Sequence, residues 1–164
     1  MARIYISIGS NINRHYHVQA AVSALQQHFG NLTLSSVYES EAVGFAGNAF
    51  YNLVAAAETS LSVAECVALF KQIEDRYGRD RSAARFSGRT LDLDLLTYDD
   101  LICQQPVQLP RAEITENAFV LWPLAEIAPQ VCHPLSGKRY SDLWQQYEKQ
   151  QKLWPVPFEW SEKQ

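Results

Sequence analysis

Between Arg89 and Leu96 the chain reads RTLDLDLL. Side chains of a β-strand point alternately to its two faces. Leu91, Leu93 and Leu95 therefore share one face, and Asp92 and Asp94 share the other, with Cα atoms of the two aspartates roughly 6.6 Å apart. The leucine face has to be buried, whereas two carboxylates cannot be buried unpaired. A strand of this kind fits a sheet covered by helices on one face, with the opposite face left to loops and a ligand.

The rest of the chain supplies elements for such a sheet. Ile4, Ile6 and Ile8 alternate with Tyr5 and Ser7 and predict a first strand, ended by the turn cluster Gly9-Ser10-Asn11. Val18, Ala21, Val22, Leu25 and Phe29 recur at helical spacing, and Gly30-Asn31 stops that helix. Leu32 to Tyr38 reads as a second strand, Glu39 to about Asn48 as a polar loop, and Phe50 to Glu58 as a third strand. Ser62-Val63-Ala64-Glu65 is a capping box that opens a helix carrying Val67, Phe70 and Ile73 and ending near Gly78. After an arginine-rich loop, Leu91 to Tyr98 is the fourth strand. The order strand, helix, strand, strand, helix, strand predicts an α+β fold of the ferredoxin-like, split βαβ kind, an antiparallel sheet with helices on one face. Beyond it lies an extra C-terminal segment: a short helix over Ala118 to Ala125, ended by Pro129, and an amphipathic helix over Ser141 to Lys152. Residues 1–164 read as one domain, with 155–164 a loose tail.

Formal charge is −4 with a pI of about 5.5, which argues against a nucleic-acid or membrane-surface binder. The N-terminus lacks the apolar core of a signal peptide, and no run is long enough to span a bilayer. Cys66, Cys103 and Cys132 form no CxxC pair, so they predict free thiols and a reducing cytoplasm rather than a zinc site or a disulfide framework.

The chemistry concentrates between Gly78 and Leu96. Arg76, Arg79, Arg81, Arg85 and Arg89 precede Asp92 and Asp94. Guanidinium groups bind phosphate oxygens bidentately, and paired carboxylates suit Mg²⁺, which prefers a few carboxylates with water and substrate phosphate. Cations for the oxygens and anions for the metal are what a metal–polyphosphate site needs. The same residues also fit a solvated loop salt-bridged to Asp75 and Asp80, beside an acidic face. No Walker A or GxGxxG sequence occurs, which argues against P-loop or Rossmann nucleotide binding. Phe50, Asn52 and Phe119 offer two ring faces and one amide, a set that suits a flat heterocycle with a donor–acceptor edge if the fold brings them together.

The stretches YISIGSN, SSVYES, YNLV, RTLDLDLL and F-LWPLAEIAP together resemble the 6-hydroxymethyl-7,8-dihydropterin pyrophosphokinase family, nearly end to end. The resemblance implies a ferredoxin-like fold and transfer of diphosphate from MgATP to a hydroxymethyl pterin in folate synthesis. It implies that Asp92 and Asp94 hold two Mg²⁺ ions. It implies that Arg79 and Arg89 act in turnover, and that Glu74, Arg81, Phe86, Arg89, Leu95 and Arg111 line the ATP site. Ser40, Val43, Phe50, Asn52 and Phe119 would form the pterin site. ATP and a pterin are the implied partners of a cytoplasmic monomer, with no nucleic acid or membrane.

Departures stand beside the likeness. Phe50 replaces a usual tyrosine and Phe86 a frequent tryptophan. Arg111 and Asn117 stand where a histidine and an arginine are common. These leave open a non-catalytic pterin- or nucleotide-binding relative. A ferredoxin-like RNA binder lacks support, because neither an aromatic RNP motif nor a basic sheet is present.

Overall fold

The structure of the chain, a computed structural model, describes residues 1–40, 49–78, 91–148 and 151–160. Its elements are β1 (Ala2–Ser10), α1 (Arg14–Phe29), β2 (Thr33–Leu34), β3 (Val37–Ser40), β4 (Phe50–Thr59), α2 (Val63–Arg76), β5 (Asp92–Tyr98), α3 (Glu113–Glu116), α4 (Ala118–Ile127), α5 (Tyr140–Gln145) and β6 (Leu153–Val156). The strands form one antiparallel sheet in the order β5-β1-β4-β3-β6, with β2 also paired to β4. This is the ferredoxin-like arrangement predicted from the element order, extended at one edge by β6.

Alternation sets the two faces. Ile4, Ile6 and Ile8 of β1, Leu53, Ala55 and Ala57 of β4, and Leu91, Leu93 and Leu95 around β5 pack against Val18, Val22 and Leu25 of α1 and Cys66, Phe70 and Ile73 of α2. The Ser62 hydroxyl accepts from the Glu65 N–H, and the Glu65 carboxylate accepts from the Ser62 N–H, so the predicted capping box starts α2. Gly30, at φ 76°, ends α1.

The opposite face is not left wholly to loops. Tyr5, Val54, Ala56 and Leu96 form a second core with Ile114, Val120, Leu121, Leu124 and Tyr140, so α4 and its neighbours cover part of it. The second strand, expected as one run over Leu32 to Tyr38, is broken into β2 and β3. At the break the Ser35 hydroxyl accepts from the Val54 N–H at 2.9 Å, and the Ser36 N–H turns out to the Glu126 carboxylate at 3.0 Å.

The expected helix over Ser141 to Lys152 stops at Gln145. Side chains beyond it are drawn to the start of α4: Tyr147 Oη donates to the Glu116 carbonyl at 2.7 Å, and Gln151 Oε1 accepts from the Ala118 N–H at 2.6 Å. The chain then leaves as β6, which takes in Pro155 and Val156 and pairs with β3.

Candidate active site

Register on the partly open face brings the sequence candidates into rows. Tyr38 of β3 lies opposite Asn52 of β4, Asn52 opposite Gly9 of β1, and Gly9 opposite Asp92 of β5. One step along, Val54, Ser7 and Asp94 form the next row. Adjacent strands lie about 4.8 Å apart, so Asn52 and Asp92 are separated by about 10 Å of sheet. Only a glycine stands between them.

Gly9 thus belongs to β1 and not to the turn cluster in which the sequence placed it. A Cβ there would lie 2.9 Å from Asn52 Oδ1. Its missing side chain leaves room for the Asn52 amide and a flat floor between the amide and the carboxylate. Asn52 is buried, and its Nδ2 donates to Ser40 Oγ at 3.1 Å. Phe50 lies opposite Ser40, so β3 and β4 carry three of the predicted pterin-side residues on one face. Phe119, half-buried on α4, packs against the core on that same face.

Two aromatic side chains that sequence reasoning passed over stand beside this group. The Tyr38 ring lies 4.8 Å from that of Trp122, which stacks on Trp144 at 5.1 Å. Tyr38 Oη donates to Glu126 at 2.7 Å, and the same carboxylate accepts from Ser36. Burial and the Glu126 carboxylate push the Tyr38 hydroxyl up, so it remains a donor. Glu126 therefore ties α4, which carries Phe119, to the end of the sheet that carries Ser40.

At the other edge, β5 takes partners other than a strand on its outer side: the Leu96 carbonyl accepts from the Arg111 N–H at 3.0 Å. Glu74, buried on α2, accepts from the Leu93 N–H at 2.8 Å, between the two aspartates. A cavity of about 250 Å³ opens here, lined by Val67, Phe70, Lys71 and Glu74 of α2, by Asp92 to Leu95 of β5, and by Pro106, Val107 and Arg111. Of the residues expected at an ATP site, Glu74, Leu95 and Arg111 line this cavity, whereas Lys71, Pro106 and Val107 carried no motif that would single them out. Arg111 lies 3.4 Å from both Asp94 and Glu113.

The Asp94 carboxyl is pushed up to about 6, chiefly by burial; Arg111 opposes the shift, while Asp92, Glu74 and Glu113 add to it. Asp92, Glu74 and Glu113 thus surround Asp94, and the Arg111 guanidinium is shared between Asp94 and Glu113. Among the described residues no three His, Cys, Asp or Glu side chains form a complete metal cage. Asp92 and Asp94 instead fit a metal that takes its remaining ligands from water and a substrate phosphate.

Arg79, Arg81, Phe86, Arg89 and Val43 lie outside the described residues. A separate surface cavity of about 320 Å³ is lined by Thr115, Leu121, Leu143, Gln146, Tyr147 and Glu148 and shares no residue with the acidic edge. No helix among the described residues is long and apolar enough to cross a membrane.

Residues 5–129 match the family described as 7,8-dihydro-6-hydroxymethylpterin-pyrophosphokinase (HPPK). The chain is 34% identical over 142 residues to the 2-amino-4-hydroxy-6-hydroxymethyldihydropteridine pyrophosphokinase of Aquifex aeolicus (strain VF5), covering 84% of this chain and 88% of that one. It is 39% identical over 132 residues to the protein of the same name from Bacillus subtilis (strain 168), covering 77% and 78%. The fold is similar to that of the Plasmodium falciparum HPPK-DHPS wild type with pterin and p-hydroxybenzoate, at a TM-score of 0.72 and 13% identity, over 89% of this chain and 43% of that one. The chain therefore spans under half the length of that solved protein.

Proposed function

The chain belongs to the 7,8-dihydro-6-hydroxymethylpterin-pyrophosphokinase family, and from that premise we propose that it transfers diphosphate from ATP to 6-hydroxymethyl-7,8-dihydropterin in folate biosynthesis. The products are AMP and the pterin diphosphate. The observation that carries this reading is the row Asn52, Gly9, Asp92, which sets an amide and a carboxylate about 10 Å apart on one open floor. A pterin held by its polar edge at Asn52 directs its hydroxymethyl group along that floor toward Asp92.

In the reaction, the hydroxymethyl oxygen forms a bond to the β-phosphorus of ATP and loses its proton. The bond from that phosphorus to the oxygen it shares with the α-phosphate breaks, and AMP leaves. Such transfers depend on positioning and charge stabilisation more than on a protein nucleophile. Asp92 and Asp94 would hold Mg²⁺, which when bound supplies charge neutralisation for the phosphates. The cavity beside Glu74 and Leu95 receives the nucleotide, and Arg111 offers its guanidinium to a phosphate at the Asp94 end. Arg79, Arg81, Arg89 and Phe86 complete the nucleotide side, Arg79 and Arg89 as catalytic cations. Ser40, Val43, Phe50, Asn52 and Phe119 form the pterin side. The protein works as a cytoplasmic monomer with these two small molecules as its partners.

Incubation with MgATP and the pterin alcohol, with AMP followed by chromatography, tests the reading. AMP formed only when both substrates are present supports it. Pterin binding with no AMP formed would favour the non-catalytic alternative.

A further inference from the structure

The back of the β3 and β4 ends carries a second row that the reaction does not use. Trp154 of β6 lies opposite Glu39 of β3, and Glu39 opposite Tyr51 of β4. Arg14, in the first turn of α1, lies across this row. Its guanidinium pairs with Glu39, stands 3.9 Å from the Tyr51 ring centroid, and donates to the Ala49 carbonyl at 3.0 Å. Trp154 Nε1 donates to the other Glu39 oxygen at 3.0 Å. The segment after β6 is fastened in turn: Phe158 stacks on His15 at 4.3 Å and meets Tyr51 edge-on at 5.8 Å.

Glu39 and Tyr51 alternate along their strands with Ser40, Phe50 and Asn52, which face the other way. One guanidinium therefore holds, from behind, the backbone that presents the pterin-side residues. Among the described residues three of β3 pair with β4, and β6 supplies its second partner. The sheet order puts β5, with the nucleotide cavity, at the opposite edge.

We infer that Arg14 and the C-terminal strand β6, joined through Glu39, are positioning elements of the pterin half of the site. They fix the Ser40–Asn52 pair without touching substrate. This rests on the reading of Ser40, Phe50 and Asn52 as the pterin side.

The test uses the full chain with Arg14→Met, Arg14→Lys and Trp154→Phe, titrated separately with the pterin and with an ATP analogue by calorimetry. Arg14→Met should weaken pterin binding about tenfold, since small misplacements of binding groups are costly. Trp154→Phe, which removes the indole donor and keeps one aromatic ring, should weaken it about fivefold, the worth of one hydrogen bond. Arg14→Lys should recover part of the loss. ATP affinity should stay within about twofold in all three, a split that general loss of packing would not give.

Unchanged pterin affinity in the variants, or equal losses for both ligands, overturns the inference. If Arg14→Met does not fold, Trp154→Phe decides alone. A wild-type chain that binds the pterin but releases no AMP would refute the proposed reaction, and the calorimetric comparison would still decide this inference. A wild-type chain that does not bind the pterin overturns both.

Discussion

Alanine at position 9 is the smallest change that separates fold from function in this chain. The new Cβ would sit 2.9 Å from Asn52 Oδ1, where ordinary contact begins near 3.4 Å, so the amide must give way by about 0.5 Å. It has little freedom to do so, because its Nδ2 is already committed to Ser40 Oγ at 3.1 Å. On the proposed reading, the carbonyl oxygen that turns away is the one that meets the pterin edge. An unmatched buried polar group costs about 1–3 kcal/mol, which corresponds to about 5- to 150-fold in pterin affinity.

Stability should fall only modestly. Overpacking at the new Cβ costs about 1–3 kcal/mol, of which the lower unfolded-chain entropy of alanine returns about 0.4–1 kcal/mol. The melting temperature should therefore fall by no more than about 10 °C. Calorimetric titration with pterin and with ATP, beside a thermal melt, gives all three quantities. Pterin affinity equal to wild type, or a parallel loss for ATP, would refute the placement of the pterin edge at Asn52.

Three further outcomes are expected. Asn52→Leu should cost pterin affinity at least about tenfold and leave ATP affinity nearly unchanged; an equal loss for ATP would make Asn52 a structural strand residue. Asp94→Asn should abolish AMP formation yet raise the melting temperature of the ligand-free protein at pH 8. The Asp94 pKa stands at about 6 against an ordinary 3.8, so its charge costs stability fully above pH 6 and not at all below about pH 3.8. Two units would be about 3 kcal/mol. Its side chain is 46% exposed, so screening leaves about 1 kcal/mol, a rise of about 2–4 °C that vanishes near pH 4; a lower melting temperature at pH 8 would contradict this. Among the thiols, exposed Cys132 should react first with a disulfide reagent and Cys103 later. Cys66, buried and pushed up to about 11, should react only on unfolding, and its prompt labelling in native buffer would show that the α2 packing is wrong.

Period-two alternation in Ile4 to Ile8 and Leu91 to Leu95, together with the Ser62–Glu65 capping box, was enough to order the strands and helices, because those signals are local. What the sequence concealed depends on side chains reaching across the fold. Ser35 replaces a backbone acceptor with its hydroxyl and splits a strand that its apolar pattern presents as one. Gly9 looks like turn punctuation until its neighbour Asn52 is known. Pro155 argues against a strand, yet β6 forms because an edge position tolerates a residue without an N–H. The helical pattern beyond Gln145 loses to Tyr147 and Gln151, which bind the start of α4. Of the candidate site, Asp92 and Asp94 were suggested by residue type and spacing and Asn52 chiefly by the family resemblance, whereas Lys71, Tyr38 and Trp122 stand beside them only through helix packing and register.

The pairing of β3 with β6 also bears on how the chain is made. Glu39 and Trp154 are 115 residues apart. At synthesis rates of about 5–20 residues per second, the outer edge of β3 emerges roughly 6–23 s before the strand that covers it. During that interval Val37 to Ser40 present unpaired backbone groups, the kind of edge on which other strands add. Nascent chains stalled short of Leu153 should therefore be the species that aggregate or recruit chaperones, even with every fully buried residue of both cores already synthesised.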